Sequence, residues 1–312
     1  MSAAASRPTA LLTLAPAVFL LLWSAGFPVS KIALGHSEPM GLLAIRYALT
    51  VAVLVVLFAA MRPRLPRGKA WLHVAVVGFL IQVVYFGMNY LSLNLGTSAG
   101  VLALITSLQP VLVSALAPIF VGERVSARRW VGLTLGLLGA AGVIAARSNV
   151  ESDSWLGVLA GFGALFGMTA AMLYEKRSGT NVHPVSANLV QYTVGLAVCG
   201  PIAWATDQLH YDWAWGLIGP LAYLVIGNSL IAISLLLALT RAGEVSRVSS
   251  LFFFVPPLAA ILSMILLDEA MPPLAWAAML VSVAGVAIAT RPDKAKQKTS
   301  GEPVAGEKGV QQ

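Results

Sequence analysis

The fold is decided by two similar stretches of the chain, TSLQPVLVSALAPIFVGERVSARRWVGLTLGLLGAAGV at residues 106–143 and FFFVPPLAAILSMILLDEAMPPLAWAAMLVSVAGVAI at residues 252–288. At an offset of 146 residues the less common residue types coincide in order: Pro110 with Pro256, Glu123 with Glu269, Trp130 with Trp276 and Gly139 with Gly285. Matches among Leu, Ala and Val mean little in so apolar a chain. Ordered matches at Pro, Trp and Glu indicate a duplication.

The duplication extends toward the start of each half. At an offset of 145 residues, three more residues coincide with counterparts: Lys31 with Lys176, Pro39 with Pro184 and Tyr47 with Tyr192. A loop that is one residue longer in one half accounts for the change of offset. We therefore predict two equivalent units, residues 11–146 and 155–290, preceded by a cytoplasmic segment (1–10) and followed by a disordered cytoplasmic tail (291–312).

The composition places this duplicated chain in a membrane. Of the 312 residues, 58% are hydrophobic and only 11% are charged, whereas about 25% are charged in a typical soluble domain. So few charges could not cover the surface of a soluble protein of this length, which excludes a soluble enzyme. The single Cys199 excludes a disulfide framework, a CxxC redox pair and a cysteine-based zinc site.

Apolar segments of the length that a membrane helix needs, about 20 residues, follow one another along the chain. They fall at residues 11–34, 39–61, 71–93, 97–121, 128–146, 155–174, 184–206, 213–239, 242–267 and 272–290. This pattern predicts an all-α integral membrane protein with ten transmembrane helices, five in each unit. The loops between them are too short to hold a soluble domain.

The basic residues predict the orientation of these helices. With a cytoplasmic N-terminus, 17 of the 20 lysines and arginines lie in cytoplasmic loops or tails, and only Lys31 and Arg147 lie outside. This distribution follows the positive-inside rule and predicts a multi-pass membrane protein with both termini cytoplasmic. The basic loops then face anionic membrane lipid, and no nucleic acid is expected as a partner.

Five helices per unit are an odd number, so the second unit must enter the membrane upside down relative to the first. Inverted repeats of this kind are typical of secondary transporters, whose two halves rock around a site near the midplane of the bilayer. The sequence therefore predicts a carrier that works by alternating access through a central cavity between the repeats.

The chain also resembles a known group of carriers. The stretch LLWSAGFPVSK (21–31), Arg46 after Pro39, the twin stretches quoted above and the five-plus-five pattern are similar to the drug/metabolite transporter superfamily, in particular to its EamA-type ten-span members. Within that group the chain is similar to the YddG-type amino-acid exporters. The resemblance implies export and makes amino acids, including aromatic ones, the expected small-molecule substrate.

Polar and aromatic side chains inside the predicted helices are the candidates for substrate binding. Gln82, Tyr85 and Asn89 share one face of the third segment if that segment is α-helical, and a polar face must point into protein or a watery cavity. Gln82 also aligns with Asn228 of the second unit, which supplies one amide from each half. The alternative is hydrogen bonding between helices, which contributes about 0.6 kcal/mol on average.

Further candidates come from four other segments. Trp23 and Phe27 are four residues apart on the first segment and could stack against a substrate side chain, although plain packing is an equal alternative. Gln109, beside Pro110, could use a freed backbone group to bind an ammonium or carboxylate group. Thr169 and Ser249 complete the predicted polar set.

Prolines and carboxylates at repeated positions are candidates for hinges and gates. Pro110 and Pro256 each remove a helical hydrogen bond inside a segment, which makes either a packing kink or a hinge. Pro28 weakens the first segment in the same way. Glu123 and Glu269 lie at the ends of segments, where an interfacial cap or ion pair is the expected role, and we interpret them as anchors of a gate.

Arg46 lies deeper within a predicted span than any other charged residue, the others being at or near span ends. Because it lies about a third of the way in, its side chain could reach outward to the membrane surface or serve in the cavity, and the sequence leaves both open. No Asp or Glu lies in the interior of a segment, which argues against a carboxylate proton relay. Transport would then be facilitated diffusion, or would be coupled through residues that the sequence does not reveal.

Other functions find little support in the sequence. It contains no P-loop, which argues against ATP as energy source, and no HExxH motif or carboxylate cluster that would hold a metal. No cofactor is expected, and we expect a monomer. Efflux of cationic drugs is the alternative carrier function, disfavoured by the missing buried carboxylate. An intramembrane enzyme, a scaffold and a channel are remote alternatives.

Overall fold

The structure is a computed structural model that describes residues 10–121, 127–147, 154–178, 182–232, 235 and 254–290. Within these residues the chain is helical and forms no strand beyond an isolated bridge between Ser37 and Tyr211. The predicted N-terminal segment, the predicted tail and part of the eighth and ninth apolar segments lie outside the described residues.

The helices of the first unit follow the predicted segments, and two segments are divided. They are α1 (Ala10–Leu34), α2 (Pro39–Met61), α3 (Lys69–Gly78), the π-helix π1 (Phe79–Tyr85), α4 (Phe86–Asn94), α5 (Ala99–Ser107), α6 (Gln109–Val121) and α7 (Ala127–Arg147). In the second unit they are α8 (Trp155–Ser178), α9 (Pro184–Ala205), α10 (Trp215–Ala222), the π-helix π2 (Tyr223–Ala232), α11 (Val255–Leu267) and α12 (Pro273–Thr290).

Six helical stretches are long and apolar enough to cross a membrane. They are Leu14–Leu34, Pro39–Met61, Lys69–Asn94, Trp155–Glu175, Pro184–Ala205 and Trp215–Ala232. Shorter apolar helices are Ala99–Val113, Trp130–Ala146, Val255–Leu267 and Pro273–Ile288. The prediction of an all-helical membrane protein is thereby confirmed, while the count of ten transmembrane helices stays a prediction.

The surface of the helical bundle is apolar, as a lipid-facing surface must be. Large hydrophobic side chains such as Val56, Phe166, Ile265 and Leu280 are more than half exposed. Polar side chains, Arg46 among them, are instead buried inside the bundle. This inversion of the usual soluble pattern is expected where hydrocarbon replaces water around the protein.

The two π-helices lie at equivalent positions in the two units. At the offset of 146, residues 79–85 of π1 correspond to residues 225–231, which lie within π2. A π-turn adds backbone between successive side chains of one face, so it redirects the residues that follow. Because sequence periodicity assumes 3.6 residues per turn, it wrongly places Gln82 on the face that carries Tyr85 and Asn89.

Two pairs of equivalent helices pack against each other in antiparallel directions. In the first pair, α7 and α12, Gly142 lies against Ala278, whereas the carbonyl of Gly136 accepts a hydrogen bond from Ser282 Oγ at 2.9 Å. A residue nearer the end of α7 thus contacts a residue nearer the start of α12, so the two helices run antiparallel. Glycines on α7 permit this close approach because they carry no side chain.

The second antiparallel pair is α2 and α9. The backbone N–H of Met40, near the start of α2, donates to Oε1 of Gln208, just beyond the end of α9, at 3.0 Å. Farther along α2, Tyr47 contacts Tyr192 edge to face, with ring centroids 5.5 Å apart. Tyr47 and Tyr192 are equivalent residues of the two units, so the units meet at corresponding points.

Candidate functional site

A cavity of about 340 Å³ lies between the two units, and we call it the central cavity. Helices α1, α2 and α4 and both π-helices contribute to its wall. The lining residues are Trp23, Gly26, Phe27, Ser30, Arg46, Tyr85, Phe86, Asn89, Tyr90, Leu224 and Asn228. Aromatic rings therefore alternate with amide, hydroxyl and guanidinium groups, a composition suited to a small molecule with one polar and one apolar end.

A second cavity of about 410 Å³ shares Trp23, Phe27 and Tyr85 with the central cavity. Its other lining residues are Ala103, Thr106, Ser107, Gln109, Pro110, Met168 and Val255. The hydroxyls of Thr106 and Ser107 donate to backbone carbonyls of their own helix, so they offer little to a ligand. The three shared aromatic residues make the two cavities neighbours, with the more apolar one beyond them.

Arg46 points into the central cavity and is only 1% exposed. Its Nη1 donates to the phenol oxygen of Tyr90 at 2.7 Å, and its Nη2 donates to Asn228 Oδ1 at 3.2 Å and Ser229 Oγ at 3.1 Å. The guanidinium carbon lies 4.7 Å from the centroid of the Phe86 ring. The structure thus decides between the two roles left open by the sequence, because Arg46 does not reach outward to the membrane surface.

The charge of Arg46 has no counter-charge among the described residues. All three of its hydrogen-bond acceptors are neutral, and no described Asp or Glu lies within ion-pair distance of it. A charged side chain at the bilayer centre costs about 2.5–3.5 kcal/mol on insertion scales. The central cavity therefore has a positive wall that favours an anionic group in its interior.

Asn89 adds an unused polar group to the same wall. Its side chain is 4% exposed and makes no hydrogen bond to any described residue. Other polar groups of the wall already have partners: Ser30 donates to the phenol oxygen of Tyr90 at 3.3 Å, and Asn228 Nδ2 donates to the carbonyl of Leu22 at 3.4 Å. The amide of Asn89 is free for a ligand.

The structure brings most of the predicted binding residues together. Five of them line the central cavity: Trp23, Phe27, Tyr85, Asn89 and Asn228. Gln109 lines the second cavity, and Ser249 lies outside the described residues. Their roles in binding stay predictions.

Two predicted binding residues lie in neither cavity wall. Gln82 packs toward α9, where its Cβ lies against Gly195, and its buried Oε1 has no partner. The π-turns of π1 account for this, since they separate Gln82 from the face that carries Tyr85. Thr169 is buried, and its hydroxyl donates to the carbonyl of Leu165 at 2.7 Å within its own helix.

The predicted hinge prolines lie at helix starts rather than inside continuous helices. The fourth apolar segment is divided at residue 108, and Pro110 is the second residue of α6. Pro256 is likewise the second residue of α11. The turn at residue 108 lies just before Pro110, which has no backbone N–H to donate, and the role of both prolines as kinks or hinges stays a prediction. Pro28 does lie inside α1, as expected.

Glu269 joins three parts of the bundle at one end. Its Oε1 lies 2.5 Å from Nζ of Lys31, and its Oε2 accepts from the backbone N–H of Ala99 at 3.1 Å. Lys31 also donates to the carbonyl of Thr97 at 3.1 Å. Lys31 is the residue after Ser30 of the cavity wall, so the ion pair lies near the α1 end of that wall. Glu123 lies outside the described residues.

Sequence reasoning missed the partner of Glu269 and the role of Arg46 in the cavity. Lys31 and Glu269 are 238 residues apart, and no local pattern joins them. One signal was available: the predicted topology puts Lys31 and Glu269 on the same side of the membrane. For Arg46, the signal was that it lies deeper within a predicted span than any other charged residue.

Comparison with known proteins identifies the family. The model of the EamA-like transporter family matches twice, at residues 8–145 and 155–291, which confirms the duplication. The uncharacterized transporter YvbV of Bacillus subtilis is 26% identical over 284 residues, which cover 90% of this chain and 92% of that protein.

Two further relatives are named for amino-acid substrates. A probable amino-acid metabolite efflux pump of Escherichia coli is 23% identical, with 86% of this chain and 91% of that protein covered. A probable terminal-alkyne amino-acid exporter of Streptantibioticus cattleyicolor is 25% identical, with 91% and 95% covered. With both halves matched by the family model and an apolar helical bundle around the cavities, the chain belongs to the EamA-like transporter family and is a multi-pass membrane transporter, not an enzyme.

Proposed function

We propose that this protein exports small metabolites, in the first place amino acids, from the bacterial cytoplasm by alternating access through the central cavity. One observation carries the proposal: a cavity of about 340 Å³ that is walled by both units and lined by aromatic, amide and guanidinium groups. Such a wall can hold both the charged end and the side chain of an amino acid.

The antiparallel packing of equivalent helices supports the inverted arrangement. If two five-helix units enter a membrane in opposite directions, each helix must run opposite to its counterpart. The pairs α7 with α12 and α2 with α9 run in that way. In this arrangement both termini are cytoplasmic, and residues Lys31 and Glu269 lie on the outer side.

The ion pair of Lys31 and Glu269 then acts as the outer gate. It ties the end of α1 to the start of α5 and to the second residue after α11. Release of a substrate to the outside requires these three elements to separate, which breaks the ion pair. This role deepens the expected one of Glu269 as an anchor.

The shape and chemistry of the two cavities support amino acids as substrates. The polar groups of Arg46, Asn89 and Asn228 lie in the central cavity, and the apolar wall of Met168 and Val255 lies in the second cavity. The ammonium and carboxylate groups of an amino acid match the central cavity, and an apolar side chain matches the second cavity. Two of the relatives are also named for amino-acid substrates. Efflux of cationic drugs is disfavoured, because Arg46 repels a cation.

Counterflow in proteoliposomes tests the proposal. The purified full-length protein is placed in liposomes preloaded with unlabelled amino acids, and uptake of a labelled amino acid is followed without ATP or an ion gradient. We expect saturable uptake that unlabelled amino acids compete for and that protein-free liposomes lack. Absence of such uptake for every amino acid would refute amino-acid transport.

The topology has its own test. Cys199 is buried and is replaced by alanine, and single cysteines are placed at the exposed positions Arg67 and His210. In intact cells, a membrane-impermeant thiol reagent should label position 210 and spare position 67. Labelling of both positions in intact cells would contradict the proposed orientation.

A further inference from the structure

We infer that Arg46 is the anchor for a carboxylate group of the substrate, so that the carrier selects molecules with a carboxylate over their amide counterparts. The inference rests on the proposed function in that it concerns the same cavity, but it names the chemical group that this cavity recognises. The buried charge of Arg46, which has no counter-charge among the described residues, then determines which substrates bind.

The buried charge of Arg46 favours a negatively charged ligand group. Arg46 is 1% exposed, and its three acceptors, Tyr90, Asn228 and Ser229, are all neutral. An arginine remains charged at every physiological pH, so its charge persists inside the bundle. Because coulombic interactions are strong where water is scarce, a ligand carboxylate in this cavity gains far more from Arg46 than it would in solution.

The shape of the Arg46 guanidinium also favours a carboxylate. The planar guanidinium fork matches the two oxygens of a carboxylate, which a lysine ammonium cannot do. Here the guanidinium lies over the Phe86 ring, with its carbon 4.7 Å from the ring centroid, and this contact limits its orientation. An entering carboxylate exchanges with the side-chain oxygens of Asn228 and Ser229, which are neutral acceptors and therefore the weaker partners.

The side-chain amide of Asn89 offers a second group for the ligand. The amide of Asn89 lines the same cavity, is 4% exposed and makes no hydrogen bond to a described residue. This amide opens onto the cavity, where it can both donate to and accept from a ligand group. With the carboxylate at Arg46 and Asn89, the side chain of the substrate extends past Tyr85 and Phe27 into the second cavity.

Matched acids and amides test the inference on the wild-type protein. Labelled L-phenylalanine and L-leucine are used for counterflow, with the free acids, L-phenylalaninamide, L-leucinamide and inorganic phosphate as competitors. We expect each amide and phosphate to compete at least about tenfold more weakly than the acid, since one charge-assisted bidentate interaction is lost or misfitted. Equal competition by acid and amide, or by phosphate, would overturn the inference while leaving amino-acid transport in place.

Three variants place this selectivity on Arg46. Arg46→Gln should abolish the difference between acid and amide, and Arg46→Lys should keep part of it, because the charge remains without the fork. Arg67→Gln, which removes an exposed arginine from the loop before α3, is the matched control and should keep the wild-type ratio. An unchanged ratio in Arg46→Gln would show that Arg46 has only a structural role.

A binding measurement separates this inference from the choice of amino acids as substrates. Phenylacetate carries a carboxylate without an ammonium group, and phenylacetamide is its neutral counterpart. The acid should raise the thermal unfolding midpoint of the wild type in detergent and leave that of Arg46→Gln unchanged, and the amide should affect neither. If no amino acid is transported but the acid still stabilises through Arg46, only the proposed function fails. If acid and amide shift the midpoint equally, or neither does, the inference fails.

Discussion

The two units of this transporter share a backbone plan but differ in charge. At the offset of 145, Arg46 of α2 corresponds to Gln191 of α9. Arg46 points into the central cavity, whereas Gln191 packs against Gly78 of α3 and does not line it. Both units have a π-helix at equivalent positions, and equivalent helices of the two units meet in antiparallel pairs. The scaffold is therefore symmetric and the site is not.

A second equivalent pair shows the same difference. Gln82 and Asn228 lie in π1 and π2 at corresponding positions. Asn228 accepts a hydrogen bond from Arg46 in the cavity wall, while Gln82 packs toward α9. A symmetric cavity would bind a small substrate in two opposite orientations. If Arg46 binds the substrate as proposed, the single charge on one side gives that substrate one orientation, and this is what the comparison of the units teaches.

The largest effect is expected from moving the charge between the units. The double variant Arg46→Gln with Gln191→Arg keeps the composition but removes the cation from the cavity wall. We expect amino-acid counterflow to fall by at least about thirtyfold, because a desolvated charge pair contributes some 2–5 kcal/mol. Recovery of wild-type flux in the double variant, with a monodisperse protein, would mean that the two positions are interchangeable.

The next effect is expected from giving Arg46 an internal counter-charge. Asn228→Asp puts a carboxylate where Oδ1 already lies 3.2 Å from Nη2 of Arg46, so it competes with the substrate. We expect about tenfold weaker substrate competition in counterflow and no loss of thermal stability. The equivalent change Gln82→Glu buries a carboxylate that has no such partner. It should lower the thermal unfolding midpoint instead, and weaker substrate binding without that loss would contradict the assignment.

A smaller effect is expected at the outer gate. Glu269→Gln can still accept from the N–H of Ala99 but loses the ion pair with Lys31. Because a partly exposed ion pair contributes up to about 1 kcal/mol, a cysteine at Ser30 should react up to about fivefold faster with an external thiol reagent. Glu38→Gln, at an exposed carboxyl near the same end, is the control and should not change that rate.

The contact between the units affects stability rather than transport. A Cβ at Gly139 would lie 2.5 Å from the backbone nitrogen of Ser282, so Gly139→Ala must push α7 and α12 apart. Overpacking of this kind costs about 1–3 kcal/mol, and the thermal unfolding midpoint in detergent should fall by several degrees. Gly219→Ala, where a Cβ meets nothing within 4 Å, should leave the midpoint unchanged or raise it. Equal midpoints for the two variants would contradict the close contact.

Much of the architecture could be predicted because its signals are local or repeated. Apolar runs of about 20 residues predicted the helices, and paired Pro, Trp and Glu residues predicted the duplication that the family comparison confirms. Five of the predicted binding residues do meet in one cavity. The position of Gln82 could not be predicted, since π-turns have no distinctive sequence periodicity. The division of the fourth segment lies just before Pro110, where the sequence predicted a kink or hinge.

By itself, the sequence determined that the chain is an all-helical, duplicated membrane protein, because hydrophobic length and repeated residue types are properties of the chain that need no partners. Only the tertiary structure decided where the charge of Arg46 lies, which amide faces the cavity and that Lys31 pairs with Glu269 across 238 residues. Those features depend on which helices meet and on how π-turns rotate their faces. Both result from packing among distant parts of the chain.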